Sequence, residues 1–320
     1  MKPVVSVVIP NYNYGRYLDQ RIQTVLNQSY QEFELILLDD ASTDNSIDIL
    51  QKYKNDKHVS HVVVNERNTG SPFQQWMKGI LLAEGEWVWI AEADDVSEPT
   101  FLEDCLRAVN SYQDVSICMV GSDYIDGNGN VIRQNVDYWG KNNMKTVTFS
   151  GREYIRHKLY WHCCIMNASG VLFKREQALN LQNSIFLTMR YSGDWMFWFE
   201  MAKQGFVVEV RKTLNHFRQH EAKVSVEGIS TGNRIREDID VVSSIEQSDI
   251  IIGKYKRKLA RGMLYRKIKK VGNIQKRNEL FLYLKEKLGG DKSDLSVLHW
   301  NQYLQYLCPF LVTMKRDRKK

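Results

Sequence analysis

Acidic and amide side chains follow three apolar stretches in the first hundred residues, at the point where each stretch ends. VSVVIP is followed by NYN (11–13), FELILL by DD (39–40), and WVWIA by EADD (92–95). Carboxylate oxygens are the ligands that Mg2+ and Mn2+ prefer, and these ions commonly bridge one or two carboxylates to substrate phosphates. Paired aspartates also cap helices or lie in solvated turns. The position directly after an apolar strand therefore favours a metal-binding role for Asp94 and Asp95.

The surrounding elements predict why these clusters would meet. Short apolar runs alternate with amphipathic, helix-like stretches at about 17–28, 44–53 and 71–83. Strands that are apolar throughout and separated by helices indicate a parallel sheet covered on both faces. We therefore predict a doubly wound α/β domain, and in such sheets ligands bind at the carboxyl ends of the strands. The three clusters would converge on that edge.

Two common phosphate-binding loops are excluded. The first turn reads PNYNYGRY and lacks the GxGxxG fingerprint of a dinucleotide-binding domain, and GxxxxGK[ST] does not occur. No glycine-rich loop of either kind is therefore present to close on a phosphate chain. The strand-end carboxylates suggest that a divalent cation offsets the phosphate charge instead.

Charge is distributed unevenly along the chain. Residues 253–320 hold 19 Lys and Arg against 5 Asp and Glu, whereas residues 1–252 hold 25 against 33. A basic segment on an acidic body is typical of attraction to a polyanion, either an anionic membrane surface or nucleic acid, and a solvated basic helix is the alternative. The closing stretch VLHWNQYLQYLCPFLVTM beside KRDRKK suits a helix in a membrane interface. The same aromatic residues could also pack on the catalytic domain.

Cysteine usage and hydropathy suggest the compartment. The five cysteines are an odd number without a CxxC pair, which predicts a reduced, cytoplasmic environment. No stretch approaches the roughly 20 apolar residues that a membrane span needs. We expect a cytoplasmic protein, attached at most peripherally to the inner face of the membrane.

The pattern suggests two parts. Residues 1–230 are predicted to form the catalytic domain, with a nucleotide-binding half (1–110) and an acceptor half (111–230), and residues 231–320 a mainly helical, basic extension. Within the acceptor half, DGNGN (126–130) predicts a hairpin turn and 151–157 a helix. The stretch GDWMFWFEMAKQG predicts a helix closed by Gly205.

Several of these segments together resemble a known family. VSVVIPNYNYGRYLDQRIQTVLNQSYQEFELILLDDASTDNS, NERNTGSPF and GEWVWIAEADD are similar to the family-two inverting glycosyltransferases of the GT-A fold. The similarity is dense over about 4–110 and thinner to about 226, through SGDWMFWFEMA and FRQHEAKVS. It implies transfer of a hexosyl or N-acetylhexosaminyl unit from a nucleotide sugar to a saccharide or lipid-linked saccharide hydroxyl. It also implies Mn2+ or Mg2+ and a role in bacterial surface-polysaccharide assembly.

The resemblance assigns roles in the nucleotide half. Pro10 and Tyr12 fall where the first loop borders the nucleotide, and Asp40 falls where a carboxylate accepts a hydrogen bond from uracil, which favours UDP-linked donors. Asp94 matches the metal ligand of the DxD-type element, and Asp95 its neighbour towards the ribose. The nearby side chains expected to cap the next helix are Ser42, Thr43 and Asp44.

The acceptor half receives the remaining roles. Asp194 matches the family's base-bearing element, and an inverting transfer needs a carboxylate to take the acceptor proton; a helix N-cap is the structural alternative. Arg218 and His220 match an Arg-x-His element that holds the leaving group or the metal. For His216 we expect a packing role.

The sequence departs from the family pattern at three places. Glu92 replaces the first Asp of the DxD-type element; it is still an oxygen ligand but is longer by one methylene. QQWMK (74–78) replaces an Arg-Asn pair, whose contacts would be lost or fall to Lys78. Gly193 stands where relatives often have Glu.

These departures motivate the main alternative, a degenerate transferase that acts as a nucleotide- or membrane-binding scaffold. A nucleotidyltransferase is a second alternative, although PNYNYGR offers little of the glycine-rich, basic loop that it would need. A glycoside hydrolase is less favoured because it has no use for a nucleotide site. Nucleic acid is not an expected partner.

Overall fold

The structure is a computed structural model that describes residues 3–134, 136, 145–219 and 232–307. Within these ranges ten strands form one sheet in the order β3-β2-β1-β4-β9-β6-β10-β5, with β7 on β6 and β8 on β10. The strands are β1 (Val5–Asn11), β2 (Phe33–Asp39), β3 (Val59–Val64), β4 (Trp87–Ile90), β5 (Val96–Ser97), β6 (Val115–Ile125), β7 (Val131–Arg133), β8 (Thr146–Ser150), β9 (Val171–Lys174) and β10 (Phe206–Arg218).

The α-helices of the described residues fall into two groups. Those of the first 219 residues are α1 (Gly15–Leu26), α2 (Ser46–Tyr53), α3 (Pro72–Leu82), α4 (Phe101–Val109), α5 (Gly151–Tyr154), α6 (Arg175–Leu179) and α7 (Gly193–Ala202). Those of the C-terminal region are α8 (Asn233–Gln247), α9 (Lys254–Ile268), α10 (Ile274–Leu288) and α11 (Lys292–Leu307).

The first four strands form the parallel half of the sheet. β1 lies between β2 and β4, and β2 pairs with β3, all in parallel. Every residue of β1, β2 and β4 is buried, as expected of strands covered on both faces. Beyond β4 the sheet is mixed, because β9 runs antiparallel to β4 and β6, while β6 pairs in parallel with β10. The predicted α/β class is confirmed.

Helices cover both faces of this sheet. One apolar cluster joins Val5, Val7 and Ile9 of β1 to helices α1, α2 and α4. The other joins Val8 to helices α3 and α7 and to the C-terminal helices. Successive strand residues point to opposite faces, so the run of apolar residues in β1 serves both clusters.

Two local expectations in the acceptor half are refined. The hairpin turn at 126–130 is present, since β6 and β7 pair antiparallel. The helix expected at 151–157 is α5 continued by one π-helical segment, Ile155–Leu159. Gly205 does not close α7 with a left-handed residue, because it is absent from the positive-φ glycines of the described chain. A Cβ there would lie 2.3 Å from the carbonyl oxygen of Asp114, so close backbone approach requires the glycine.

The C-terminal helices pack on the helices that cover the sheet. Residues Ile235, Ile239, Leu264 and Leu280 belong to the same apolar cluster as α3 and α7. α11 packs on α9, where a Cβ at Gly262 would lie 2.4 Å from the carbonyl oxygen of Asp294. Among the described residues, no helix combines the length and the apolar character needed to cross a membrane.

Candidate active site

The loops after β1 and β2 are locked together. Asn11 donates through Nδ2 to Asp39 Oδ2 at 2.7 Å and to Ser42 Oγ at 3.1 Å. Ser42 Oγ also accepts the backbone N–H of Asn13. Asn13 and Ala41 both adopt left-handed backbone, with φ of 58° and 63°. Left-handed backbone costs a non-glycine residue about 1–2 kcal/mol, and such strain clusters at functional sites.

The expected capping role of this second loop is wrong for two of its three residues. Ser42 bonds to the first loop, and Thr43 donates its backbone N–H to Asn13 Oδ1 at 2.7 Å. The residue before α2 is Asn45, which makes no side-chain cap. Asp44 does accept the backbone N–H of Ser46, at 2.9 Å. The loop is therefore built to fix the edge of the sheet as well as to start a helix.

Asp40, the predicted uracil acceptor, is buried at the carboxyl end of β2. Its Oδ1 accepts Asn65 Nδ2 at 2.6 Å and Gln75 Nε2 at 2.8 Å. Its Oδ2 accepts Thr69 Oγ1 at 2.8 Å, and the backbone N–H of Thr69 lies 3.0 Å from both oxygens. The carboxylate therefore organises the loop before α3 and retains little free acceptor capacity.

Glu92 lies beside the indole of Trp76. Trp76 Nε1 donates to Glu92 Oε1 at 2.8 Å, and Ser169 Oγ accepts the backbone N–H of Glu92 at 3.0 Å. Burial, together with the charges of Asp94 and Asp95, raises the pKa of Glu92 to about 8. Burial and charge repulsion thus disfavour ionisation of Glu92 and Asp95, which is the electrostatic setting that a divalent cation relieves.

Asp95 accepts hydrogen bonds from two segments that are distant in the chain. Its Oδ2 accepts Asn167 Nδ2 at 2.7 Å and Ser169 Oγ at 2.6 Å, and its Oδ1 accepts the backbone N–H of Arg218 at 2.9 Å. Burial and the Asp94 charge raise the pKa of Asp95. These hydrogen bonds make Asp95 the structural anchor of the acidic loop, residues 92–95, and leave Asp94 and Glu92 as the ligand candidates.

Arg21 supplies a buried positive charge below the acidic loop. It is fully buried on α1, donates through Nη1 to Ser97 Oγ at 2.6 Å, and lies 4.9 Å from the centre of the Trp89 ring. Burial lowers the pKa of Arg21 to about 10, while the nearby Asp95 opposes that shift. The guanidinium remains charged at neutral pH and partly balances the cluster.

Arg218 ties the end of β10 to the acidic loop. Its Nε donates to the carbonyl oxygen of Asp94 at 2.6 Å, its Nη1 to that of Asp126 at 2.8 Å, and its Nη2 to Gln20 Oε1 at 2.9 Å. The side chain also lies over the ring of Tyr17, 4.5 Å from its centre. The structure thus brings this predicted site residue to the edge formed by the loops after β1, β2 and β4, where the nucleotide-sugar donor is expected to bind. At this donor edge the contacts of Arg218 with the described residues are structural. His216 pairs with Glu98 at 2.8 Å, as a packing residue would.

The remaining predicted nucleotide contacts lie on the same edge. Pro10 is buried in β1, and Tyr12 is 45% exposed in the loop that follows. Tyr14 is partly exposed and lies near the cluster. Burial and the charge of Asp94 raise the pKa of its hydroxyl group. Lys78 donates to Asn65 Oδ1, so it supports the loop that Asp40 organises.

Asp194, the predicted base, is the second residue of α7. Its Oδ1 accepts the backbone N–H of Trp195 at 2.8 Å, and the Cys163 thiol lies 3.7 Å from its Oδ2. Burial raises the pKa of Asp194, and the charge of Arg234 partly opposes the shift. Because Ser192, not Asp194, precedes the helix as its N-cap, the N-cap alternative does not account for this carboxylate.

Aromatic rings explain the glycine that precedes Asp194. A Cβ at Gly193 would lie 2.4 Å from the Phe73 ring and 2.9 Å from the carbonyl oxygen of Phe186. Trp76 continues this contact, with its ring centre 5.7 Å from that of Phe197. Helix α3 carries Trp76, the hydrogen-bond partner of Glu92, and it therefore packs directly on α7, which carries Asp194.

The site fits a cation that uses few protein ligands. Within the described ranges, no three His, Cys, Asp or Glu side chains are grouped as a closed metal cage. Asp94 and Glu92 are hard oxygen donors, and Mn2+ or Mg2+ usually completes its shell with substrate phosphates and water. His220, also predicted as a ligand, lies outside the described residues.

Several contributing residues carry no recognisable motif. Gln75 and Trp76 fill the stretch where an Arg-Asn pair was expected, and each bonds a site carboxylate. Asn167 and Ser169 reach Asp95 from a distant segment. Burial of Arg21 on the inner face of an amphipathic helix was the one available signal, since charged residues are rarely fully buried without a role.

An acidic loop at the carboxyl edge of this sheet, together with a separate carboxylate at a helix start, is the arrangement of GT-A glycosyltransferases. The chain belongs to glycosyl transferase family 2, whose sequence profile matches residues 6–179, more than half of its length. That match runs from β1 to the end of α6. It includes the donor edge and stops before Asp194.

Relatives and solved structures agree with this assignment. The putative teichuronic acid biosynthesis glycosyltransferase TuaG of Bacillus subtilis is 39% identical over 106 residues, which are 33% of this chain and 42% of TuaG. For this and two further relatives, the matched part covers 36–42% of the relative's own length.

Two solved structures share the fold over nearly the whole chain. Residues 1–349 of Staphylococcus aureus TarS, in complex with UDP-GlcNAc, superpose with a TM-score of 0.70 at 16% identity, covering 94% of this chain and 85% of that one. The mannosyltransferase PcManGT of Pyrobaculum calidifontis, in complex with GDP-Man and Mn2+, gives a TM-score of 0.57 at 16% identity, covering 97% and 82%. At this identity the likeness establishes the GT-A fold.

Proposed function

We propose that this chain is a metal-dependent, inverting glycosyltransferase that moves a sugar from a UDP-linked donor to a hydroxyl of a saccharide or lipid-linked saccharide. The observation that carries the proposal is the carboxyl cluster of Glu92, Asp94 and Asp95 after β4, with a separate, partly buried carboxylate, Asp194, at the start of α7. TuaG and TarS, the latter bound to UDP-GlcNAc, favour a polysaccharide acceptor and a hexosyl or N-acetylhexosaminyl donor.

Asp194 acts as the general base. Its carboxylate takes the proton of the acceptor hydroxyl as that oxygen forms a bond to the anomeric carbon. The bond from the anomeric carbon to the diphosphate breaks on the opposite side, and its electron pair leaves with the nucleoside diphosphate. A single displacement of this kind inverts the anomeric configuration.

Asp94 and Glu92 would hold the Mn2+ or Mg2+ ion, with His220 as the third ligand in the proposal. A bound cation would neutralise charge on the diphosphate leaving group. PcManGT, a neighbour in fold bound to GDP-Man and Mn2+, supports the metal. The acidic loop that carries these ligands is held in place by Asp95, through its hydrogen bonds with Asn167, Ser169 and Arg218.

The nucleotide would lie against Pro10, Tyr12 and the loop organised by Asp40. Because internal donors occupy most of the Asp40 carboxylate, its contact with uracil would use the remaining capacity of Oδ2, supported by Lys78 and Asn65. A GDP preference would keep the transferase and remove the uracil role of Asp40.

Calorimetric titration with UDP and GDP, each with Mn2+ and with EDTA, tests the proposal. We expect Mn2+-dependent binding of UDP and its loss in Asp94→Asn, with Asp104→Asn on α4 as the control. Metal-independent binding without turnover of any UDP-sugar would favour the scaffold instead, and release of pyrophosphate would indicate a nucleotidyltransferase. Neither alternative is favoured by the family match.

Contact with the cytoplasmic membrane surface is the second part of the proposal. The outward face of α11 carries Trp300, Tyr303 and Leu307 at helical spacing, 59%, 53% and 53% exposed, while Leu295 and Leu298 face inward. Exposed Trp and Tyr beside a region rich in Lys and Arg suit an anionic membrane interface.

Liposome flotation tests this contact. We expect the full chain to float with anionic vesicles and not with neutral ones, and a Trp300→Ser/Tyr303→Ser variant to stay in solution. Tyr112→Ser, which removes a tyrosine that is 41% exposed elsewhere on the surface, is the control. Equal flotation with neutral vesicles would contradict the membrane contact. So would a wild-type dimer that the double variant no longer forms, because the exposed side chains would then bind a second copy of the chain.

A further inference from the structure

Glu237 of α8 binds the loop that precedes Asp194. Its Oε1 accepts the backbone N–H of Arg190 at 2.9 Å, and its Oε2 accepts those of Tyr191 and Ser192, both at 2.7 Å. Three consecutive backbone N–H groups thus converge on one carboxylate, an arrangement that suits a negative charge. The third of them belongs to the N-cap residue of α7.

Asp238 adds a second, fully buried contact to the same point. Its Oδ1 accepts Ser192 Oγ–H at 2.8 Å, and its Oδ2 pairs with Lys267 of α9 at 2.7 Å. Ser192 and Asp238 are 2% and 3% exposed. The start of α7 is therefore held by two neighbouring carboxylates from one helix of the C-terminal region.

The loop of residues 190–192 makes few other backbone contacts that would hold it in place. The short helical turn before it, Ile185–Thr188, ends at Met189, and α7 begins at Gly193. The backbone N–H groups of residues 190–192 make no other hydrogen bond within the described residues. Without Glu237 these donors would turn to water, and the residues before Asp194 would move.

We propose that Glu237 and Asp238 are positioning residues, through which the C-terminal region fixes Asp194 at the acceptor side of the site. The inference rests on the proposed role of Asp194 as the base. It makes α8 a working part of the catalytic unit, although the sequence pattern separates residues 231–320 from the catalytic domain. The donor edge, built from other loops, does not depend on this contact.

Hydrogen exchange of the full chain tests the contact without requiring turnover. In Glu237→Ala we expect amide exchange of residues 190–192 to rise at least about tenfold, since the three protecting bonds are lost. Glu237→Gln keeps one acceptor oxygen and should show a smaller rise. Asp240→Ala, on the same helix and bonded to Tyr283 of α10, should leave these amides unchanged. Unchanged exchange in both Glu237 variants, or an equal rise in Asp240→Ala, would overturn the proposal.

Kinetics then tests the consequence for catalysis. With UDP-N-acetylglucosamine as the probe, we expect Glu237→Ala to lower the kcat of UDP release about tenfold while its KM and Mn2+-dependent UDP binding stay within about twofold. Raised exchange with unchanged kcat would overturn the positioning role. If Asp194→Asn retains full turnover, the base assignment fails, while the exchange result still decides whether Glu237 holds the loop.

Discussion

Glu92 shows how one extra methylene is accommodated at the donor edge. Trp76 approaches the carboxyl group from α3 and donates to Oε1, and burial with two adjacent aspartates raises its pKa to about 8. The indole therefore orients a carboxyl group that its surroundings keep mostly protonated at neutral pH. The departure from an Asp at this position and the departure from the Arg-Asn pair are two parts of one contact.

Trp76→Phe tests that contact. The variant keeps the ring that packs on Phe197 but loses the N–H donor, so we expect Mn2+-dependent UDP affinity to fall by about tenfold. Calorimetry measures the change. Trp300→Phe, exposed on α11, is the matched control, and an equal loss in both variants would contradict a specific role for the indole.

The raised pKa of Glu92 also predicts a pH dependence. At neutral pH the carboxyl group of the metal-free protein is mostly protonated, and a cation can bind it only by releasing that proton. Apparent Mn2+ affinity should therefore rise as the pH increases from 6 towards about 8, where the carboxyl group ionises by itself. Titration at several pH values with measured proton release checks this, and affinity independent of pH would contradict it.

At the scale of elements, α3 and α7 are joined by close packing that starts at Gly193. An added Cβ at this position would lie 2.4 Å from the Phe73 ring and 2.9 Å from the Phe186 carbonyl oxygen, which leaves no room for the Glu that the family resemblance led us to expect. Phe73 occupies the space instead. The start of α7 is consequently placed by α3 on one side and by Glu237 of α8 on the other.

Gly193→Ala should destabilise the fold. Overpacking of a filled site costs about 1–3 kcal/mol, so the midpoint of thermal unfolding should fall by several degrees. Gly272→Ala, where an added Cβ meets nothing within 4 Å, should leave the midpoint within about one degree. Similar unfolding of both variants would contradict the packing argument.

The parallel strands could be predicted from the sequence, whereas the side-chain contacts between distant segments could not. The unbroken apolar runs of β1, β2 and β4 specify strands buried on both faces, so the parallel half of the sheet and its ligand-binding edge follow from periodicity. Contacts such as Trp76 with Glu92 or Asn167 with Asp95 join segments 16 and 72 residues apart. No spacing rule encodes such pairs, because they depend on how the elements pack.

At the scale of the molecule, the C-terminal region completes the core. Five apolar side chains of α8 are buried in the cluster that also holds α3 and α7: Ile235, Ile239, Val241, Val242 and Ile245. Burying an aliphatic side chain contributes about 1.5–3 kcal/mol, and the whole stability of a domain is about 5–15 kcal/mol. Although the C-terminal region is rich in Lys and Arg, its buried apolar side chains therefore stabilise the fold.

Truncation distinguishes the two ends of this region. A chain ending at residue 231 should lose cooperative thermal unfolding and aggregate, because it exposes the apolar face beneath α8. A chain ending at residue 307 keeps every described contact and should unfold with the same midpoint as the full chain. Cooperative unfolding of the shorter chain at an unchanged midpoint would show that the C-terminal region is dispensable for the core.

We propose that nucleotide binding and proton transfer are divided between two carboxylate sites, Asp94 at the donor edge and Asp194 on α7. The most direct measurement compares UDP binding and UDP release from UDP-N-acetylglucosamine in Asp94→Asn and Asp194→Asn. We predict that Asp194→Asn binds UDP with Mn2+ as the wild type does and loses turnover by about 100-fold or more, whereas Asp94→Asn loses both. Full turnover in Asp194→Asn, or undiminished Mn2+-dependent binding in Asp94→Asn, would contradict the account.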